Sequence, residues 1–90
     1  MHEFFEWDEK KAASNLVQHG ISFDEARLVF LDPYEQTIAS DRGLETRFLT
    51  IGKAGLRVIS VAWTLRPETT RIISARSSRR GERRKYRPLQ

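Results

Sequence analysis

Eight basic residues lie between Arg71 and Arg87 (Arg71, Arg76, Arg79, Arg80, Arg83, Arg84, Lys85 and Arg87) against a single acid, Glu82. That segment carries +7 in a chain whose total is +4, so the remaining residues sum to −3. A weakly acidic body with one concentrated basic end is the charge map of a polyanion binder. The cations are mostly arginine, 12 against 4 lysines, which favours planar two-point contacts with phosphate. Such a cluster could grip a nucleic-acid backbone. It could also stabilise the charge that builds on phosphorus when a ribose 2′-hydroxyl attacks its own phosphodiester. That reaction further needs a base for the hydroxyl proton and an acid for the departing 5′-oxygen.

Arg76 at the end of the last expected strand, with Arg79, Arg80 and Arg83 on the helix that follows, can converge on one phosphate, aided by the helix's N-terminal amides. Arg47 and Arg57 join them only if their side chains share that sheet face, and register is left open by the sequence. Arg71, Arg84, Lys85 and Arg87 would extend the grip on nucleic acid. For proton transfer, His19 has the ordinary pKa nearest neutrality, about 6.5, although a histidine just before Gly20 also suits a helix C-terminus. Tyr86 could stack on a base, act as a proton donor whose pKa nearby cations lower, or simply plug the sheet edge. Glu82 could be a base, or could hold an arginine in place from one helical turn away. Asp8, Glu9, Asp24, Glu25 and Asp32 are spaced as caps and solvent-facing acids. They form no metal-ligand pattern, so neither metal nor cofactor is expected. Trp7 and Trp63 read as core or interface anchors, and His2 as a bystander.

The elements that must position these groups follow from pattern. Asp8 caps a first helix with an apolar stripe of Ala12, Ala13, Leu16 and Val17, ended by Gly20. Ser22 and Glu25 form a capping box for a second helix carrying Phe23, Ala26, Val29 and Phe30, which Asp32-Pro33 stops. Strands are expected over Tyr34–Ala39, Thr46–Ile51, Leu56–Leu65 and Thr70–Arg76, the third apolar on both faces and therefore central. Turns fall at Ser40–Gly43, Gly52–Gly55 and Arg66–Thr69. Ser77-Ser78 caps a last helix running to about Tyr86, before Pro88. The expected architecture is α+β: an N-terminal helical hairpin on a four-stranded, mainly antiparallel sheet, with a short basic C-terminal helix. That last helix has almost no apolar face, so a ligand of negative charge would best explain it.

Ninety residues bound the chain to one domain, residues 1–90. Without cysteine, thiol catalysis and Cys-ligated zinc are excluded, and a reducing compartment is suited. The acidic start, Glu3-Phe4-Phe5-Glu6-Trp7-Asp8, does not fit a secretory leader, and no stretch reaches the roughly 18 apolar residues of a membrane span.

In order along the chain, Phe5-Glu6-Trp7-Asp8-Glu9-Lys10-Lys11 with Asn15, His19-Gly20-Ile21-Ser22-Phe23, Glu25-Ala26, Val29-Phe30, Asp32, Arg47, Gly52, Arg71-Ile72-Ile73-Ser74-Ala75-Arg76, Glu82-Arg83 and Tyr86 resemble the BrnT family of bacterial type II toxins. The resemblance implies a RelE-like fold and a ribonuclease that arrests translation. It also implies a cognate antitoxin with a ribbon-helix-helix DNA-binding domain, through which the pair would bind operator DNA. Gln18 and Ser77 stand where family members often carry lysine. On this reading the chain is a cytoplasmic, metal-independent endoribonuclease acting on RNA, free or on the ribosome. His19, Arg47, Arg76, Arg80, Arg83 and Tyr86 are the candidate reacting groups, and the antitoxin covers the basic end. The rival readings are a non-catalytic nucleic-acid-binding module and a subunit whose basic end holds an acidic partner.

Overall fold

The structure, a computed structural model, describes residues 2, 4–42 and 45–86. Asp8 accepts the backbone N–H groups of Lys10 and Lys11 at 2.8 and 3.1 Å and opens α1 (Glu9–His19). Gly20 ends it at φ 69°, the left-handed conformation that glycine adopts without a Cβ penalty. Ser22 Oγ accepts the Glu25 N–H at 3.0 Å and opens α2 (Phe23–Ala26). The chain then tightens into a 3₁₀ turn, Arg27–Leu31, before Asp32-Pro33. The expected second helix is thus one α turn followed by one 3₁₀ segment.

One sheet of five strands follows the order β1 (Phe5–Glu6), β5 (Thr70–Ser77), β4 (Arg57–Leu65), β3 (Glu45–Ala54), β2 (Gln36–Arg42). All neighbours are antiparallel except β1, which pairs parallel to β5 through Phe5 with Thr70 and Glu6 with Arg71. The sheet is therefore mixed and five-stranded, where four antiparallel strands were expected. The fold class, α+β, and the central place of β4 agree with the sequence reading. Ser40, Asp41 and Arg42, expected in a turn, continue β2 opposite Arg47, Thr46 and Glu45; Gly43 lies outside the described residues. Likewise Gly52–Ala54 continue β3, and the turn falls at Gly55 and Leu56, with Gly55 at φ 64°. Gly52 serves close approach, since a Cβ there would stand 3.1 Å from Val29 Cβ.

Side chains alternate across the sheet. Ile59, Val61 and Trp63 of β4, with Ala54, Ile72 and Ala75, face Ile21, Phe23, Ala26 and Val29 to form the core beneath the helices. The α1 stripe departs from expectation. Leu16 and Val17 are 51% and 89% exposed, whereas Asn15, at 6%, is the buried residue. Its amide pairs with the outer edge of β5, accepting the Ala75 N–H at 3.1 Å and donating to Ala75 O at 2.9 Å, and also donates to Ile21 O at 2.9 Å. A side chain thus takes over along the β5 edge where the two-residue β1 stops, satisfying backbone groups that would otherwise be buried without partners.

Candidate functional site

The opposite sheet face carries Arg47, Leu49 and Ile51 of β3, Ser60, Ala62 and Thr64 of β4, and Arg71 and Arg76 of β5, as the pairings Arg47 with Thr64, Leu49 with Ala62 and Ser60 with Arg76 require. At one end α3 (Arg80–Lys85) crosses this face. The rest is open. A hollow of about 230 Å³ there is lined by Arg47, Arg76, Leu49, Ala62 and Ser40. Arg47 and Arg76, 29 positions apart in sequence, thus border one concavity with an apolar floor. Arg57 does not join them. It lies on the helix side, paired with Glu25 at 2.6 Å, and this resolves the register question left by the sequence.

α3 is held by polar contacts. Glu82 receives Arg76 through both terminal guanidinium nitrogens at 2.8 Å each, the Ser60 hydroxyl at 2.9 Å and the Arg79 N–H at 2.8 Å. The Arg76 guanidinium, against the opposing effect of burial, holds the Glu82 carboxyl down at about 2. That is far below the range of a useful general base at neutral pH. Glu82 therefore reads as the holder of an arginine, and the arginine held is Arg76 on β5. It also satisfies the Arg79 N–H itself, so this helix terminus offers that amide to no ligand. The expected Ser77-Ser78 cap is likewise replaced. Ser77 ends β5, and the buried Ser78 shares a hydrogen bond with Ser60 at 2.8 Å. Arg83 donates to the Ser78 carbonyl.

Tyr86 is buried, and its hydroxyl donates to Asp32 Oδ2 at 2.5 Å. Burial first, and the Asp32 hydrogen bond and charge second, push its pKa up to about 12. That direction is opposite to the expected lowering by cations, and the burial of the ring fits the plug reading of Tyr86. Burial alone would raise Asp32, but it is held below its usual value by Tyr86 and by the Lys53 and Tyr34 N–H groups. His19 ends α1, exposed, and lines a separate hollow with Lys11, Gln18 and Ser74. Arg71 is paired with Glu6 at 2.6 Å. Arg79, Arg80, Arg84 and Lys85 have exposed side chains and no ion-pair partner among the described residues. Arg87 lies outside the described residues, as does Pro88. Among the described residues no three His, Asp or Glu side chains gather as a metal site, and no helix is long and apolar enough to cross a membrane.

Two contributors escaped the sequence reading. His2 shares a hydrogen bond with Thr70 Oγ1 at 2.7 Å and lies 4.2 Å from the Phe30 ring and 4.8 Å from Trp63, centroid to centroid. Burial lowers its pKa. Ser60 anchors Glu82, and its only sequence signal is a hydroxyl amid the apolar residues of a central strand.

α1 and α2 on one face of the sheet, with Arg47 and Arg76 bordering a hollow on the other, define an α+β protein with a cationic open face. Residues 7–82 match the model of the ribonuclease toxin BrnT of type II toxin–antitoxin systems, and the chain belongs to that family. Membership makes RNA the substrate and a cognate antitoxin the partner. Among curated proteins, none matches the chain closely enough to count as a relative.

Proposed function

We propose that the chain cleaves single-stranded RNA by attack of the ribose 2′-hydroxyl, without a metal, with the scissile phosphate held in the hollow between Arg47 and Arg76. The observation that carries this reading is the meeting of these two distant arginines on one open face, beside the exposed cations Arg79, Arg80 and Arg83. Arg47 and Arg76 stabilise the charge that develops on phosphorus, where preorganised cations above an apolar floor act most strongly. Arg80, Arg84 and Lys85 steer and hold the flanking backbone. His19 and Tyr86 are left out of the reacting set, the first because it lines another hollow and the second because its proton is tightly held. Cleavage in the cytoplasm would arrest translation, on or off the ribosome. An antitoxin with a ribbon-helix-helix domain would neutralise the chain by covering the basic face with acids.

A second reading is favoured by one specific observation: among the described residues, no histidine or unpaired carboxylate lines the hollow. On that reading the arginines only grip RNA. Incubation of labelled RNA with purified protein in EDTA, with product ends identified by mass, decides between them. A 2′,3′-cyclic phosphate with a 5′-hydroxyl supports cleavage, and Arg76→Ala should then slow it by about 100- to 1000-fold. Tight, salt-dependent binding without cleavage, with or without ribosomes, overturns it in favour of the grip.

A further inference from the structure

Arginine has two edges that can each donate a parallel pair of hydrogen bonds to an oxyanion: the end-on edge, formed by the two terminal nitrogens, and the side-on edge, formed by Nε and Nη2. Arg76 commits its end-on edge to Glu82, through Nη1 to Oε1 and Nη2 to Oε2 at 2.8 Å each. The outer Nη1 hydrogen points to the Ser77 carbonyl at 3.4 Å. Among the described residues, nothing takes Nε–H or the outer Nη2–H. Those two hydrogens form the side-on edge, turned away from Glu82, on a residue that lines the hollow with Arg47. Glu82 is itself immobilised by Ser60 Oγ on β4 and by the Arg79 N–H, so the guanidinium plane is fixed from two directions. Its side chain is 16% exposed and that of Arg76 25%, which keeps water from loosening the pair.

We infer that Glu82 is a positioning residue. It occupies the end-on edge of Arg76 so that only the side-on edge, at a fixed angle, meets the RNA phosphate in the hollow. This rests on the reading of the hollow as the phosphate site. The opposite arrangement, in which Glu82 competes with phosphate for Arg76 and restrains the enzyme, predicts effects of the opposite sign.

The test uses the full chain, with Glu82→Gln, Glu82→Ala, Arg76→Ala and the double variant Arg76→Ala/Glu82→Ala, each checked for folding by thermal melting. Cleavage by the Glu82 variants should fall in kcat by about 100-fold, the loss expected when a reacting group is misaligned by about 1 Å, with KM changed by less than about threefold. In the Arg76→Ala background, loss of Glu82 should change kcat by less than about twofold, because a residue that acts through another has nothing left to act on. Glu82 variants as fast as or faster than wild type would overturn the inference, and so would losses that multiply in the double variant. A second measurement does not depend on cleavage. In ¹⁵N NMR, the Arg76 Nε–H resonance of the wild type should shift on addition of 2′-O-methyl RNA, and that shift should be lost in Glu82→Ala. If no RNA is cleaved but this pattern holds, the cleavage reading fails and the positioning role stands. If wild-type Arg76 Nε–H ignores the RNA, the positioning role fails.

Discussion

The two faces of the sheet are built on opposite principles. The helix-covered face is closed by apolar contact, Ile59, Val61 and Trp63 against Ile21, Phe23, Ala26 and Val29. Its few polar groups are internally satisfied, as where the Trp63 indole N–H donates to Thr50 Oγ1 at 2.8 Å. The open face is crossed at one end by a six-residue helix with no buried side chain of its own, held through Glu82 and, just beyond its end, Tyr86 and Asp32. Hydrophobic burial is non-directional and tolerates small shifts, whereas paired charges fix angles. The division places stability on one face and orientation on the other. Variants on the first should change the unfolding free energy and leave RNA chemistry alone; on the second, the contacts that hold α3 should also carry stability, but only Arg47, Arg76 and the Glu82 that orients Arg76 should change RNA chemistry.

The largest stability effect is expected from Asn15→Ala. Truncation leaves Ala75 N–H, Ala75 C=O and Ile21 C=O without the partner they have now, and each orphaned buried group costs about 1–3 kcal/mol, less where water can reach it. A total of about 3–4 kcal/mol is expected, read as a lower urea midpoint. A loss below about 1 kcal/mol would mean that α1 and the β5 edge do not depend on this amide.

Asn15 also shows where sequence reasoning stopped. Local signals were legible: the Asp8 and Ser22 caps, the Gly20 terminus, the Asp32-Pro33 stop and the central strand around Trp63 each rest on contacts within a few residues. The Asn15 to Ala75 pairing spans 60 positions, and helical periodicity assigned the buried stripe to Leu16 and Val17 because it assumes that burial means apolar. β1 was missed because a two-residue strand has no period to detect, and its partner lies at Thr70 and Arg71. Gly52 was read as a turn residue because glycine marks both turns and close approaches, and only the position of Val29 tells which. At the site, the arginines were legible from type and crowding. Their separation into Arg47 with Arg76 on one face and Arg57 on the other was not, since one residue of register exchanges the faces.

Acid should undo the open face before the closed one. The folded pKa of Glu82 is near 2 against an ordinary 4.5, so its stabilisation is complete above about pH 4.5 and is lost as pH falls toward 2. At pH 7 it amounts to about 3 kcal/mol, taken as an upper bound. The stability gap between wild type and Glu82→Gln should therefore be widest at neutral pH and close between pH 4.5 and 2, measured by urea unfolding at several pH values. A gap that does not change with pH would show that the carboxylate charge is not what holds α3.

Tyr86→Phe separates plug from proton donor. It keeps the ring in place and removes the bond to Asp32, which should cost about 1–2 kcal/mol, as expected for a hydrogen bond to a charged group. The rate of RNA cleavage and its pH profile should not move. A fall in kcat of tenfold or more, with the fold intact, would return the hydroxyl to the chemistry and blur the division between the faces.

The smallest effect is the one that tests the division most directly. Arg57 and Arg47 are both strand arginines, with side chains 46% and 45% exposed, and by composition they are interchangeable. They differ in the face they occupy. Arg57 is joined to Glu25 across the helix side, an exposed pair of the kind worth about 0.2–1 kcal/mol. Arg57→Ala should therefore lower stability by less than about 1 kcal/mol and leave cleavage and RNA affinity within twofold of wild type. Arg47→Ala, which removes the same charge from the chain, should weaken both. Equal losses would mean that RNA responds to the net charge of the molecule rather than to the open face. If only Arg47 matters, the contribution of each arginine is set by the pleat of the strand that carries it.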